Sequence, residues 1–430
     1  MIDKNKLEKQ IINLRENIVK LSSSSNEDRN NALNLIKEGL VRDKELIFKE
    51  NEKDLLAAKN SALAAPIISR LKFDEKKLES CISGLEMVIN QKDPIGEVLE
   101  KRLLDDNLTL EKVSFPLGVI GMIFESRPDA LVQIVSLCLK SGNGIVLKGG
   151  KEALNTNRAL IESIKKSLEV SPLKSFWVIL IESHQDVDTL LTMDGYIDLL
   201  IPRGSNSFVS YVMNNSKIPV MGHSDGLCSI YVDDSADLEK AAIVCYDSKT
   251  QYPSACNAVE TILVNKTIAK DFLPLLKKEL DKKDVIIHGD DIVSSIIKCE
   301  RACAQDWDTE YLGFEVAIKV VESVDEAISH ISKHGSHHTD AILSKTEENI
   351  VKFFNSIDSA DVFSNCSTRF ADGYRFGLGA EVGISTSKLH ARGPVGVKGL
   401  MSTKYLLRGD NQIVEDYSSH KKNFKHKELI

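Results

Sequence analysis

The amino-acid sequence predicts an α/β protein with two Rossmann-type parallel-sheet domains and a helical N-terminal segment. Three observations carry this. Residues 1–92 place apolar side chains at three- and four-residue intervals, the period of amphipathic helices. From about Leu103, short apolar runs alternate with helical stretches, the pattern of βαβ units whose helices cover both faces of a parallel sheet. The alternation begins again after Cys256, so the 430 residues divide into two such domains with a boundary near that cysteine.

The elements follow in order. "LEKQIINLRENIVKL", "DRNNALNLIKEGLVRDKELIFKENEKDLLAAK" and "DEKKLESCISGLEMVINQ" have helical periodicity, which Asp93-Pro94 breaks. "GVIGMIF" reads as a buried strand, and "PDALVQIVSLCLKSG" as a helix opened by Pro128 and stopped by Gly142. "GIVLKG", "FWVIL" and "IDLLIP" are the next strands, separated by helices in "EALNTNRALIESIKKSLE" and "DVDTLLTM", and "SNSFVSYVMNN" is a further helix. After the cysteine, "AVETILV", "VIIHG", "FEVAIKVV" and "DAILS" are strands, with helices in "TIAKDFLPLLKKELDKK", "VDEAISHISKH" and "EENIVKFFNSI". "GLMSTKYLLRGDNQIV" has strand texture, and a charged, loose end follows in "SSHKKNFKHKELI".

Composition excludes several function classes. The chain is 42% hydrophobic and 27% charged with a net charge of −8, which argues against nucleic acid as its main partner. No run reaches the roughly 18 apolar residues a membrane helix needs. The N-terminus is a charged amphipathic helix with no apolar core, and Asp3, Glu8 and Glu16 oppose a transit-peptide reading. Eight scattered cysteines fit a reducing compartment, so a cytoplasmic location is expected. Cys299 and Cys303 have no second pair at zinc spacing, and no metal site is expected.

Two glycine-rich stretches fail as nucleotide fingerprints. "FGLGAEVG" spaces Gly377, Gly379 and Gly383 one residue too widely, and "GIVLKGGK" has Ile145 where a P-loop needs glycine. Lys148 nevertheless stands at the carboxyl end of a parallel strand, where open α/β sheets bind ligands, and Lys151 lies in the first turn of the next helix. A helix start favours acidic residues, so a lysine there suits a bound anion; a solvated loop is the structural alternative. Cys256 sits in the polar loop marked by Pro253, Ser254 and Asn257, whereas Cys138 and Cys245 fall on helical apolar faces as inert thiols do. No His or Lys of that loop is placed to lower the thiol pKa.

In this order, "FPLGVIGMIFESRPDALVQ", "SGNGIVLKGGKEA", "LLIPRGSNSFV", "PSACNAVET", "HTDAILS", "FGLGAEVGIST" and "LHARGPVGVKGL" resemble the γ-glutamyl phosphate reductase family, the glutamate-5-semialdehyde dehydrogenases of the aldehyde dehydrogenase superfamily. The likeness runs from about residue 5 to residue 415, and its specificity comes from the combination of "ESRPDA", "LKGGKEA" and "PSACNAVET". It implies an aldehyde dehydrogenase-like fold: a cofactor domain over residues 1–255, with about 95–113 lent to a β-flap, and a catalytic domain over 256–398. The flap itself would span 399–417, with a loose tail at 418–430. Exposed flap edges would be paired by a second copy, giving a homo-oligomer, dimer or tetramer.

The implied reaction is reduction of L-glutamyl 5-phosphate by NADPH to L-glutamate 5-semialdehyde with release of phosphate, a step of proline biosynthesis. A Cys thioester would split one hard step into two. A separate glutamate kinase is a candidate partner. The resemblance makes Cys256 the nucleophile, flanked by Asn257, and sets Arg127 at or beside the oxyanion position of hydrolytic relatives, where it would contact the acyl phosphate or the oxyanion. The structural alternative for Arg127 is an ion pair with Glu125 or Asp129. Lys148 would hold the adenosine ribose; Lys151, where NAD users often carry Glu, would favour the 2′-phosphate of NADPH over NADH. Gly204 and Ser205 match the pyrophosphate-binding "T-G-S", and Glu310 matches the Glu that holds the nicotinamide ribose. Ser385, Thr386, His390 and Arg392 are the candidate substrate anchors, Arg392 for the α-carboxylate unless it forms a salt bridge. His223, Ser224 and Asp225 replace the "E-L-G-G" motif whose Glu activates water in aldehyde-oxidising relatives, so water would compete poorly for a thioester. The alternatives are a hydrolytic NAD(P)-dependent aldehyde dehydrogenase and a non-catalytic relative.

Overall fold

Two parallel sheets and one larger antiparallel sheet organise the chain in the computed structural model, which describes residues 4–183, 185–222 and 225–430. The first parallel sheet has four strands in the spatial order Val178–Ile181, Gly144–Gly149, Val119–Phe124, Leu199–Arg203. The first strand in sequence therefore lies between the second and the last. Crossovers leave it in opposite directions, and the carboxyl ends of Val119–Phe124 and Leu199–Arg203 flank a topological switch point, where open sheets form ligand crevices.

The helix Pro128–Ser141 begins with Pro in its first turn and ends at Gly142, whose φ of 73° is left-handed. A Cβ on Gly142 would also come within 2.7 Å of Ile95, so both conformation and space demand glycine. The N-terminal helices Asn26–Arg42 and Glu75–Ile89 contribute Leu33, Ile36, Leu78 and Leu85 to one core with Ile120 and Leu147 of the sheet. Fully buried Arg29 binds Asp93 at 2.5 Å, and Asp93 also accepts from the Ile95 amide, so the predicted break is a turn held by a buried cation.

The second parallel sheet has seven strands in the order Glu300–Arg301, Ile286–Gly289, Glu315–Val321, Val259–Asn265, Cys228–Val232, Thr339–Leu343, Asp361–Ser364. Three of these corrected the sequence reading, the two-residue Glu300–Arg301 among them. "CSIYV" and "DVFS" are too short and too mixed with Cys, Ser and Asp to stand out, yet the first is wholly buried between two neighbours. Cys228–Val232 and the helix Leu238–Thr250 place the passage into the second sheet upstream of Cys256, earlier than the expected limit at 255. In the other direction, Ala380, Val382, Ala391, Val395 and Val397 return to the core of the first sheet, within the span expected for the second.

The antiparallel sheet runs Met401–Arg408, Leu108–Pro116, Val98–Asp105, Lys427–Glu428. It pairs the two segments expected to form the flap, in register from Met401 opposite Pro116 to Arg408 opposite Thr109. The tail is not loose: Arg102 and Leu103 pair with Glu428 and Lys427, and Tyr417 donates to Asp105 at 2.9 Å. Lys425 binds Asp105 and Asp106, and Glu428 binds Arg102, pairings that composition alone does not show. No helix among the described residues is long and apolar enough to cross a membrane.

His330, on the helix Val324–His334, is 7% exposed and its Nε2 is buried without a hydrogen-bond partner. Burial, with Lys319, His334 and Lys333 adding repulsion against the attraction of Glu326, lowers its pKa to about 4. The neutral form is thus favoured by folding. Its stabilisation is present above the unfolded value of about 6.5 and is lost as pH falls towards 4. Chemical denaturation of wild type against His330→Leu should show the wild type losing about 2 to 3 kcal/mol more between pH 7.5 and 4. Parallel pH profiles would refute this.

Candidate active site

The switch point of the first sheet opens into a cavity of about 670 Å³ that reaches Cys256. From the first sheet come Glu125, Ser126 and Arg127 after one strand, and Arg203, Gly204 and Ser205 at the end of the other. The second sheet supplies Cys256 and Asn257 from the loop before Val259–Asn265, and Glu310 from a connecting loop.

A buried ion pair holds the cysteine loop at both ends. Lys249, in the last turn of Leu238–Thr250, binds Glu260 on the following strand at 2.5 Å, and both side chains are within 2% of full burial. Burial pushes the Glu260 carboxyl up to about 7 and the Lys249 ammonium down, while their contact pulls each the other way. Within the loop, Asn257 donates to the Ala371 carbonyl at 2.6 Å and Cys228 Sγ donates to the Cys256 carbonyl at 3.2 Å. Asn257 is therefore committed through its amide to the backbone of residue 371, a supporting position beside the thiol.

Cys256 is half-buried and in no disulfide. Among the described residues, Arg369 attracts a thiolate at this sulfur, and Glu310 and Glu381 repel it. Arg369 is fixed by donating Nε to Gln251 at 3.0 Å and by lying 5.8 Å over the Tyr252 ring. A cation absent from the local motif thus comes from the turn Thr368–Phe370.

Arg127 makes no ion pair with either predicted structural partner. Asp129 binds Lys77 at 2.8 Å, and Glu125 accepts from the Ser205 amide at 3.0 Å. Burial and the neighbouring Arg203 and Arg70 lower the Arg127 pKa to about 10. Glu310 joins both halves of the cleft: Asn206 Nδ2 donates to it at 2.8 Å and the Gly226 amide at 3.1 Å. Asn206 also donates to Asp225 at 2.7 Å, while His223 and Ser224 lie outside the described residues. Lys148 is buried at the end of its strand and donates to the Gly149 carbonyl at 2.8 Å; Lys151 is exposed at the following turn.

The four anchoring candidates are not among the residues that line the cavity. Ser385 is fully buried with its hydroxyl accepting from the Ser387 amide, Thr386 lies beside it, and His390 is exposed. Arg392 binds Asp358 at 3.2 Å and the Asp358 carbonyl at 2.9 Å, the salt-bridge alternative of the sequence reading. In their place the cavity holds Arg70, Arg203, Tyr252, Arg369 and Glu381. Arg203, Tyr252 and Glu381 lie inside or beside motifs already singled out. Arg70, on the helix Ala65–Leu71, carried no signal, because only the fold brings that helix to the cleft.

Gly226 passes so close to the nucleophile loop that an added Cβ would fall 2.6 Å from Cys256 Cα and 2.1 Å from its carbonyl oxygen. Both contacts are with backbone, which cannot step aside. Gly226→Ala should therefore displace Cys256 and change its iodoacetamide alkylation rate by at least about tenfold in a protein that still melts cooperatively. An unchanged rate would refute the constraint.

Comparison with known proteins places the chain in a family. Residues 47–295 match the aldehyde dehydrogenase family. The chain is 53% identical over 411 residues to the γ-glutamyl phosphate reductase of Ruminiclostridium cellulolyticum, covering 96% of this chain and 95% of that one. It is 49% identical over 428 residues to the same enzyme of Pelotomaculum thermopropionicum, covering 100% and 98%. The crystal structure of γ-glutamyl phosphate reductase from Thermotoga maritima superposes with a TM-score of 0.92 at 39% identity, over 95% of this chain and 99% of that one. The chain belongs to the γ-glutamyl phosphate reductases, oxidoreductases of the aldehyde dehydrogenase family.

Proposed function

We propose that the chain reduces L-glutamyl 5-phosphate to L-glutamate 5-semialdehyde with NADPH, releasing phosphate, by way of a thioester on Cys256. The observation that carries this reading is the meeting of Cys256 with an arginine-lined cleft at the switch point of the first sheet.

The donor set fits a nicotinamide dinucleotide. The helix Asn206–Asn215 starts at the switch point with no side chain capping its first amides, which suits a pyrophosphate. A Cβ on Gly204 would fall 2.5 Å from Glu125, so glycine keeps the approach open. Lys148 would hold the adenosine ribose, Lys151 the 2′-phosphate, and Glu310 the nicotinamide ribose. When bound, the dihydronicotinamide supplies hydride to the acyl carbon.

The protein's own groups do the rest. Cys256 attacks the acyl carbon as thiolate, with Arg369 favouring the charged form, and the carbon–oxygen bond to phosphate breaks with its electron pair leaving on the phosphate. The Cys256 amide faces the oxyanion of this step, and Arg127 the acyl phosphate or that oxyanion. After reduction the thiohemiacetal collapses, releasing aldehyde and returning the thiolate. Asp225 is held by Asn206, and no glutamate stands where hydrolytic relatives activate water, which supports reduction over hydrolysis. On the flap, Tyr405 and Leu407 are exposed on the edge strand Met401–Arg408, a face suited to a second copy in a homo-oligomer. A glutamate kinase remains the proposed supplier of the acyl phosphate, and the cytoplasm the proposed location.

Purified protein should reduce NADP in a strictly phosphate-dependent manner when given glutamate 5-semialdehyde, and Cys256→Ala should lower the rate by at least about 10³-fold. Phosphate-independent oxidation to the acid would overturn the reading in favour of a hydrolytic enzyme. Lys151→Glu should weaken NADP relative to NAD by about 10- to 100-fold in kcat/KM, since a carboxylate repels the 2′-phosphate. Undiminished NADP preference would remove Lys151 from the cofactor site.

A further inference from the structure

Arg70, Arg127 and Tyr252 meet on the cavity wall beside Cys256. They come from three distant segments: the short helix Ala65–Leu71, the end of the strand Val119–Phe124, and the cysteine loop itself. Neither Arg70 nor Arg127 forms an ion pair among the described residues, and the Nε of Arg70 is buried with no hydrogen-bond partner. The nearby carboxylates are occupied elsewhere: Asp129 by Lys77, Glu125 by the Ser205 amide, and Glu381 by the Gly373 amide and Arg203. Burial would raise the Tyr252 phenol, yet hydrogen bonds with Arg70 and Ser254 and the fields of Arg127 and Arg70 bring it below its usual value. Two guanidinium groups without an ion pair in one cleft repel, and the repulsion is offset when a multiply charged anion binds them both.

Resting on the proposed reaction, we infer that Arg70, Arg127 and Tyr252 form the subsite for the phosphate group of the acyl phosphate. The placement discriminates between the two anionic ends of the substrate. The phosphate is one bridging oxygen from the carbon that Cys256 attacks, and Tyr252 lies in the same loop as that thiol. The α-carboxylate is at the far end of the glutamyl chain. A dianion suits two guanidinium groups and a phenol, and the helix Pro128–Ser141, which starts immediately after Arg127, directs its positive end to the same wall. As the carbon–oxygen bond breaks, charge accumulates on the departing phosphate, where these groups compensate it.

The test uses the full chain in the reverse direction, with glutamate 5-semialdehyde, NADP and inorganic phosphate. Arg70→Gln should raise KM for phosphate by about tenfold or more and leave KM for semialdehyde and NADP within about twofold. Arg70→Lys should recover part of the loss, and Tyr252→Phe should raise the same constant by a smaller factor. An unchanged phosphate KM in Arg70→Gln, or a rise confined to the semialdehyde, would overturn the assignment. A second readout does not need turnover. Inorganic phosphate, against chloride at equal ionic strength, should slow alkylation of Cys256 by iodoacetamide in wild type and in Lys151→Glu, but not in Arg70→Gln. Equal protection in wild type and Arg70→Gln refutes the subsite whatever the reaction. A wild type that shows this protection but no phosphate-dependent turnover refutes the reaction and leaves the anion site standing.

Discussion

The buried pair between Lys249 and Glu260 is the constraint on which the site depends. It joins the last turn of a helix to the strand that follows and so fixes both ends of the loop carrying Cys256. Such a pair gains little net stability, because both ions lose their hydration. Removing one partner alone leaves an uncompensated buried charge, at a cost of about 3 to 5 kcal/mol. The pair therefore specifies a conformation more than it strengthens the fold. Within it, Asn257 ties the loop to residue 371, and Gly226 leaves just enough room for the loop backbone.

Around this loop the cleft is arranged by charge. One carboxylate, Glu310, is stitched by Asn206 and the Gly226 amide to both halves of the molecule, which sets the width of the crevice. On the other wall, guanidinium groups from three distant parts of the chain converge with few anionic partners. Like charges persist in such proximity because the rigid elements that carry them are held by packing elsewhere: Arg70 by the N-terminal helices, Arg127 and Arg203 by the first sheet. The arrangement is preorganised for an anion and does not have to be assembled when one arrives.

The motifs that could be read locally were those governed by local physics. Pro128 and Gly142 bracket their helix for reasons internal to the backbone, and the strand-end positions of Arg127, Lys148 and Gly204–Ser205 follow from βαβ periodicity. Arg392 could be read either as a substrate anchor or as a salt bridge, because a cation next to polar residues looks the same whether it meets a ligand or Asp358. "CSIYV" escaped notice because five residues give no period, and its strand character comes from neighbours on both sides. The charged tail was taken as loose because charge counts cannot reveal the antiparallel partner at Arg102 and Leu103.

By itself, the sequence determined the α/β class, the two rounds of alternation, the polar setting of Cys256 and, through a string of motifs, the family. Those properties depend on residue types at short spacing, where backbone preference and hydrophobic period act directly. The tertiary structure alone decided that Arg70 and Arg369 reach the cleft. Arg70 and Arg369 stand far from Cys256 in the chain, and electrostatic fields act through space. Only the folding of the N-terminal helices and the Thr368–Phe370 turn onto the crevice brings those charges to the thiol.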